Sequence, residues 1–224
     1  MTKKTNARIA GYAFIIYIAV GILSMVVSAE ASGGTGIAAR LAVMAQHPTE
    51  IRVAYLLTLV MTFMALTLGV TLYALTRDQD PDLAMFALTC RVGEGVGSGI
   101  PTTLLLLWLA TATGPAAPDA AGAHAVGAFL IKLGGLQTLV SAILFAVGST
   151  LFCWLLLRGR MIPRPLAWLG VIASVILVVG LPLQLAGFYS GLVFQLIWIP
   201  MAVFELTVAP WLIIKGVATS PTRA

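Results

Sequence analysis

Apolar residues run through this chain in long blocks, and polar residues gather in the gaps between them. A helix needs about 20 apolar residues, rising 1.5 Å each, to cross ~30 Å of hydrocarbon. Six blocks reach that length, at about residues 9–29, 51–76, 82–111, 124–158, 164–186 and 190–215. The fourth is too long for one straight crossing, so a bend or break is expected near Gly134-Gly135. After the first block, Ser32-Gly33-Gly34-Thr35-Gly36 reads as a flexible turn. Residues 37–45 then read as a short amphipathic surface helix ended by Pro48. Asp82 is placed to cap the third block. Gly114-Pro115-Ala116-Ala117-Pro118 reads as a loop. Residues 187–191 form a turn tight enough to make the fifth and sixth blocks antiparallel neighbours. The predicted fold is all-α: a polytopic membrane helix bundle with six transmembrane helices, a single domain over residues 1–224. Ala29-Glu30-Ala31 mimics a signal-peptidase site. The apolar stretch before it exceeds the usual signal-peptide length, so an uncleaved helix is expected.

Composition closes off the soluble alternatives. Hydrophobic residues make up 60% of the chain and charged ones 9%, and the mean hydropathy is +1.02. Soluble domains carry about 25% charged residues. The net charge of +5 does not point to nucleic acid, because the basic residues sit at block ends and form no patch. Cys90 and Cys153 fall within blocks and lack ligand-like neighbours, so neither a metal nor a disulfide is expected. No cofactor is expected. His47 and His124 fall in predicted loops.

The basic residues also predict orientation. Nine lie on the side of the termini: Lys3, Lys4, Arg8, Arg77, Arg158, Arg160, Arg164, Lys215 and Arg223. Arg40 and Arg52 lie on the other side. The positive-inside rule then puts both termini in the cytoplasm. Tyr12, Tyr73, Trp154, Trp168 and Trp211 fall near the inner boundary, and Tyr55, Trp108 and Tyr189 near the outer one, as an interfacial belt would.

Candidate chemistry is concentrated in Cys90-Arg91-Val92-Gly93-Glu94-Gly95-Val96-Gly97-Ser98-Gly99-Ile100-Pro101. Charges inside a span are costly and face a bundle interior or a wet cavity. Arg91 and Glu94 at i and i+3 share a helix face and pair. Gly93 with Gly97, and Gly95 with Gly99, form two small-xxx-small repeats that admit neighbouring helices closely. Pro101 removes a backbone hydrogen bond and is expected to bend the helix. Glu205 in the sixth block lies at the same depth as Arg91 and Glu94, and Pro200 and Pro210 predict an irregular helix around it. The expected cluster is therefore Arg91 bridging Glu94 and Glu205, with either one carboxyl protonated or a net negative charge. The glycines leave room for a pocket beside it unless neighbouring side chains fill the space. Lys132 is expected to snorkel to the interface, Gln184 and Gln195 to bond across their hairpin, and Thr102 and Thr103 to satisfy backbone near Pro101.

Several motifs together resemble a bacterial integral-membrane family, the domain-of-unknown-function family 4386. Arg8-Ile9-Ala10-Gly11 is similar to its opening Arg-x-Ala-Gly, and Arg91-x-x-Glu94 to its third-helix Arg-x-x-Glu. Ile162-Pro163-Arg164 followed by Leu169-Gly170 resembles its loop before the fifth helix. Glu205 with Trp211-Leu212-Ile213-Ile214-Lys215-Gly216 resembles its closing segment. The chain departs from that pattern in its four-glycine run and in Phe204, where a smaller residue is usual. The resemblance implies six helices and supports the charge cluster, and it implies no activity.

No enzyme signature appears: no Gx[ST]xG, HExxH, P-loop or strand-borne GxGxxG. Three function classes stay open. One is a non-enzymatic bundle that binds membrane lipids or a membrane-protein partner, including a second copy of itself, with no nucleic-acid partner. The second is a proton-coupled transporter or channel, since intramembrane acids mark ion paths. The third is an intramembrane acid–base enzyme on a lipid or isoprenoid substrate, with Glu94 and Glu205 as acid and base. The expected location is the cell inner (plasma) membrane, as a multi-pass protein.

Overall fold

The structure is a computed structural model that describes residues 1–31, 33, 35–113 and 120–218. The expected turn at residues 32–36 lies partly outside the described residues, and the expected loop at residues 114–118 wholly so. Among the described residues all regular structure is helical. In chain order the helices are α1 (Lys3–Ala31), α2 (Ile37–Gln46), α3 (Pro48–Thr76), α4 (Pro81–Ser98), α5 (Thr102–Thr113), α6 (Ala120–Arg158), α7 (Arg164–Leu185), α8 (Leu192–Leu196) and α9 (Ile199–Ile214). They supply six segments long and apolar enough to cross a membrane, with α4–α5 and α8–α9 each making up one. The chain is therefore a multi-pass membrane protein.

The spans form a closed ring. Each packs on the next in chain order, α1 on α3, α3 on α4, α4 on α6, α6 on α7 and α7 on α9, and α9 returns to α1. Short connections favour this neighbour-to-neighbour route. The ring closes at Gly11, where a Cβ would lie 2.6 Å from Ile213 and 2.7 Å from the Ala209 carbonyl. Phe204 is accommodated by another glycine: a Cβ on Gly170 would meet its ring at 2.6 Å. Outward faces are apolar, with Ile22, Phe63, Phe129, Val179 and Leu206 exposed, as lipid contact allows. Hydroxyls within the spans donate back to the preceding turn, as Thr71 does to Thr67 and Ser174 to Gly170. Most buried threonine and serine hydroxyls thus stay satisfied without water, Ser141 being an exception.

Five local expectations are corrected. α6 runs unbroken through Gly134-Gly135; at 39 residues it is about 58 Å long, and this length makes a break unnecessary once the helix extends past the membrane core. The break falls in the third span, where Ser98–Pro101 separates α4 from α5, so Pro101 ends a helix where only a bend was expected. In the sixth span the interruption precedes Pro200, which sits in the first turn of α9; α9 continues through Glu205 and Pro210. The cap of α4 is Asp80, whose side chain accepts from the Leu83 amide at 3.1 Å, while Asp82 sits in the first turn. His124 lies within α6, and His47 lies between α2 and α3 beside Glu50.

Candidate functional site

Arg91 lies ten residues into α4, about 15 Å along its axis, at the centre of the ring. Its guanidinium Nη1 stands 2.8 Å from Glu94, and both side chains are under 5% exposed. The pairing is local, since one turn of helix brings i and i+3 together. Glu94 also accepts from the Tyr17 hydroxyl of α1 at 3.1 Å. The Arg91 guanidinium lies over the Phe145 ring of α6, 5.0 Å from its centroid, where the ring's negative face attracts it.

Glu205 does not complete this group. It is buried, but among the described residues no ion pair joins it to Arg91. Arg91 Nε and Nη2 are left without a hydrogen-bond partner. Glu205 still lies near enough to interact electrostatically with Arg91 and Glu94 across the core; equal depth brought it close without bringing it into ion-pair contact. Tyr17 is a further partner of Glu94. Sequence reading had no signal for this contact, because 77 positions separate Tyr17 and Glu94.

The four glycines bring α4 against two neighbours. Cβ atoms on Gly93 and Gly97 would meet Leu144 and Ser141 of α6, and a Cβ on Gly95 would sit 3.4 Å from Leu66 of α3, with Gly99 beside Thr62. One repeat therefore faces α6 and the other α3, and neighbouring side chains press on Gly93, Gly95 and Gly97. Gly99 is looser, with Thr62 Oγ1 at 3.7 Å, and its neighbours Ser98 and Ile100 border open space. Next to Arg91 the ring interior keeps a cavity of about 20 Å³, edged by Phe14, Leu72, Ser149, Phe152 and Phe204. That is room for about one water, so the cluster is a closed polar core.

A larger cavity begins at the end of the glycine run and occupies the half of the bundle away from the termini. It measures about 550 Å³ and is bordered by all helices from α1 to α6. Its floor is the broken third span. Breaking a helix inside a membrane frees carbonyls that need donors. Here the Gln137 amide of α6 donates to Gly97 at 2.6 Å and to Ile100 at 3.3 Å, Thr102 donates to Gln137 Oε1 at 3.0 Å, and the Tyr55 hydroxyl of α3 donates to Gly99 at 2.8 Å. Ser24, Ser28, Thr58, Thr103 and Thr138 add hydroxyls to the wall, while Met44, Leu106, Leu130 and Ile131 add apolar surface. Gly135 has open space where a Cβ would stand. The available sequence signal was faint: Ser24 with Ser28, and Tyr55 with Thr58, repeat polar groups on one face of otherwise apolar spans.

The remaining expectations sort individually. Lys132 is exposed on α6. Gln184 Oε1 is buried without a partner, so the expected bond to Gln195 is not made. Cys90 and Cys153 are free and buried, and among the described residues no group of His, Cys, Asp or Glu is arranged to hold a metal.

No curated protein and no solved structure matches the chain. A family model described as "Domain of unknown function (DUF4386)" matches residues 9–216. That span takes in α4 with its charge pair, the broken third span and the closing α9, and the chain belongs to this family.

Proposed function

We propose that this protein is a non-enzymatic lipid-binding bundle of the cell inner (plasma) membrane. Both termini face the cytoplasm, and an amphiphile occupies the cavity above the broken third span. The observation that carries this reading is that cavity. Its volume of about 550 Å³ falls in the range of small-ligand sites, which in bundles lie between helices. Hydroxyls and an amide together with aliphatic side chains in its wall match a molecule with a polar head and an apolar body. Arg91, Glu94 and Tyr17 then act as a structural lock, with Glu205 a buried acid in their electrostatic field but outside their direct contacts. Native mass spectrometry of protein purified from its own membrane tests the reading. Wild type is expected to carry lipid mass. Gly135→Phe, which projects a ring into open space, is expected to lose most of it. Wild type without lipid, or equal retention by Gly135→Phe, would overturn the reading.

The broken span favours a second reading, in which the same amphiphile is moved across the bilayer. Discontinuous helices beside a mid-membrane cavity recur in transporters. Flip of a fluorescent phospholipid in proteoliposomes separates the two, because a binder leaves the probe where it started.

A further inference from the structure

We infer that the cavity selects acidic phospholipids, and that Arg40 reads the anionic head. The inference rests on the lipid-binding reading and adds the ligand's charge to it.

Arg40 projects from α2, the short helix that covers the cavity. Its neighbours Leu41 and Met44 are buried against Leu106, Leu107 and Ala110 of α5. Close approach to Gly127 of α6, where a Cβ would lie 3.2 Å from Ile37 and 3.3 Å from Leu41, pins the other side. α2 is thus seated by its apolar face, and Arg40 is held half-buried at the cavity wall.

Arg40 is the one charged residue among those described around the cavity. Among the described residues it enters no ion pair. Most other polar groups there are already committed. Ser24 and Thr58 donate to the Ala54 carbonyl, Tyr55 to Gly99, Thr138 to Gly134, and Gln137 to the helix break. The donors left over are the Arg40 fork and the hydroxyls of Ser98 and Thr103, and all three suit an anion. A guanidinium binds phosphate through two parallel N–H groups. The positive end of the α5 dipole, at Thr102 and Thr103, has the same sign preference. A zwitterionic head would bring a cation into the cavity, where no described wall residue carries a carboxylate to receive it. Aliphatic wall residues Leu106, Leu130 and Ile131 make a lipid a better occupant than a free anion. With the termini cytoplasmic, that lipid belongs to the outer leaflet.

The test uses the full chain in an uncharged detergent, offered equal amounts of dioleoyl phosphatidylglycerol and dioleoyl phosphatidylcholine, and read by native mass spectrometry. Wild type is expected to retain the glycerol lipid over the choline lipid by about tenfold, the worth of one charge-assisted contact. Arg40→Gln is expected to flatten that ratio by lowering retention of the glycerol lipid to that of the choline lipid while thermal stability holds, and Arg40→Lys to keep part of the preference. Excess inorganic phosphate is expected not to displace the lipid. Equal retention of both lipids by wild type, or a preference unchanged in Arg40→Gln, overturns the head-group inference and leaves lipid binding standing. Displacement by inorganic phosphate overturns the assignment to a lipid in favour of a free anion. Retention of neither lipid overturns the lipid-binding reading as well.

Discussion

At the scale of single residues, the buried pair in α4 sets the largest expected effects. Arg91→Ala would strand the Glu94 carboxylate in the ring interior, and breaking a buried pair in this way costs about 3–5 kcal/mol. Arg91→Met combined with Glu94→Gln removes both charges and is expected to recover much of that loss. Denaturation of the detergent-solubilised protein, followed by circular dichroism, compares the two. A double variant no more stable than Arg91→Ala would show that the pair is not the source of the effect. Tyr17→Phe removes one hydrogen bond to a charged group, about 1.5–3 kcal/mol. Glu205→Gln is expected to cost less than Arg91→Ala, because Glu205 interacts with Arg91 through the core without direct ion-pair contact. A loss as large as that of Arg91→Ala would restore Glu205 to the cluster.

At the scale of elements, the third span carries the cavity, and its break depends on groups from two other helices. Gln137→Leu would take one donor from the Gly97 and Ile100 carbonyls, which keep the backbone amides of Ile100 and Thr102, and would free the Thr102 hydroxyl. Tyr55→Phe would leave the Gly99 carbonyl without its donor, at about 1–3 kcal/mol if it stays dry. Thermal denaturation checks both, and no loss for either variant would contradict this account of the break. The same span shows what was legible beforehand. Its apolar length announced a crossing, and Pro101 announced a disturbance, because both properties belong to the local chain. The Arg91–Glu94 pair was readable for the same reason, being one helical turn. How far Pro101 would open the helix was not readable, because that depends on Gln137 and Tyr55 arriving from α6 and α3 to hold the freed carbonyls. The cavity was hidden for a related reason: isolated serines and threonines look alike whether they return a bond to their own helix or border a hollow. The break expected at Gly134-Gly135 failed because glycine permits a disturbance without requiring one, and α6 had length to spare.

At the scale of the whole molecule, the proposed orientation is testable by labelling. In a background free of Cys90 and Cys153, Thr2→Cys is expected to resist a membrane-impermeant thiol reagent in intact cells, and Thr35→Cys to react. The reverse pattern would invert the topology and move the cavity to the inner leaflet. The position of the charge pair also bears on how the protein is made. Spans enter the bilayer in chain order, so α4 arrives before α6 and α9 have been synthesised. A lone charge at the centre of an entering helix costs about 2.5–3.5 kcal/mol. Because Arg91 finds its counter-charge one turn away in the same helix, α4 carries its own neutralisation through the insertion machinery and needs no later segment to shelter it. Glu94→Gln should therefore show first as nascent chains that fail to integrate, before any weakness appears in the finished ring.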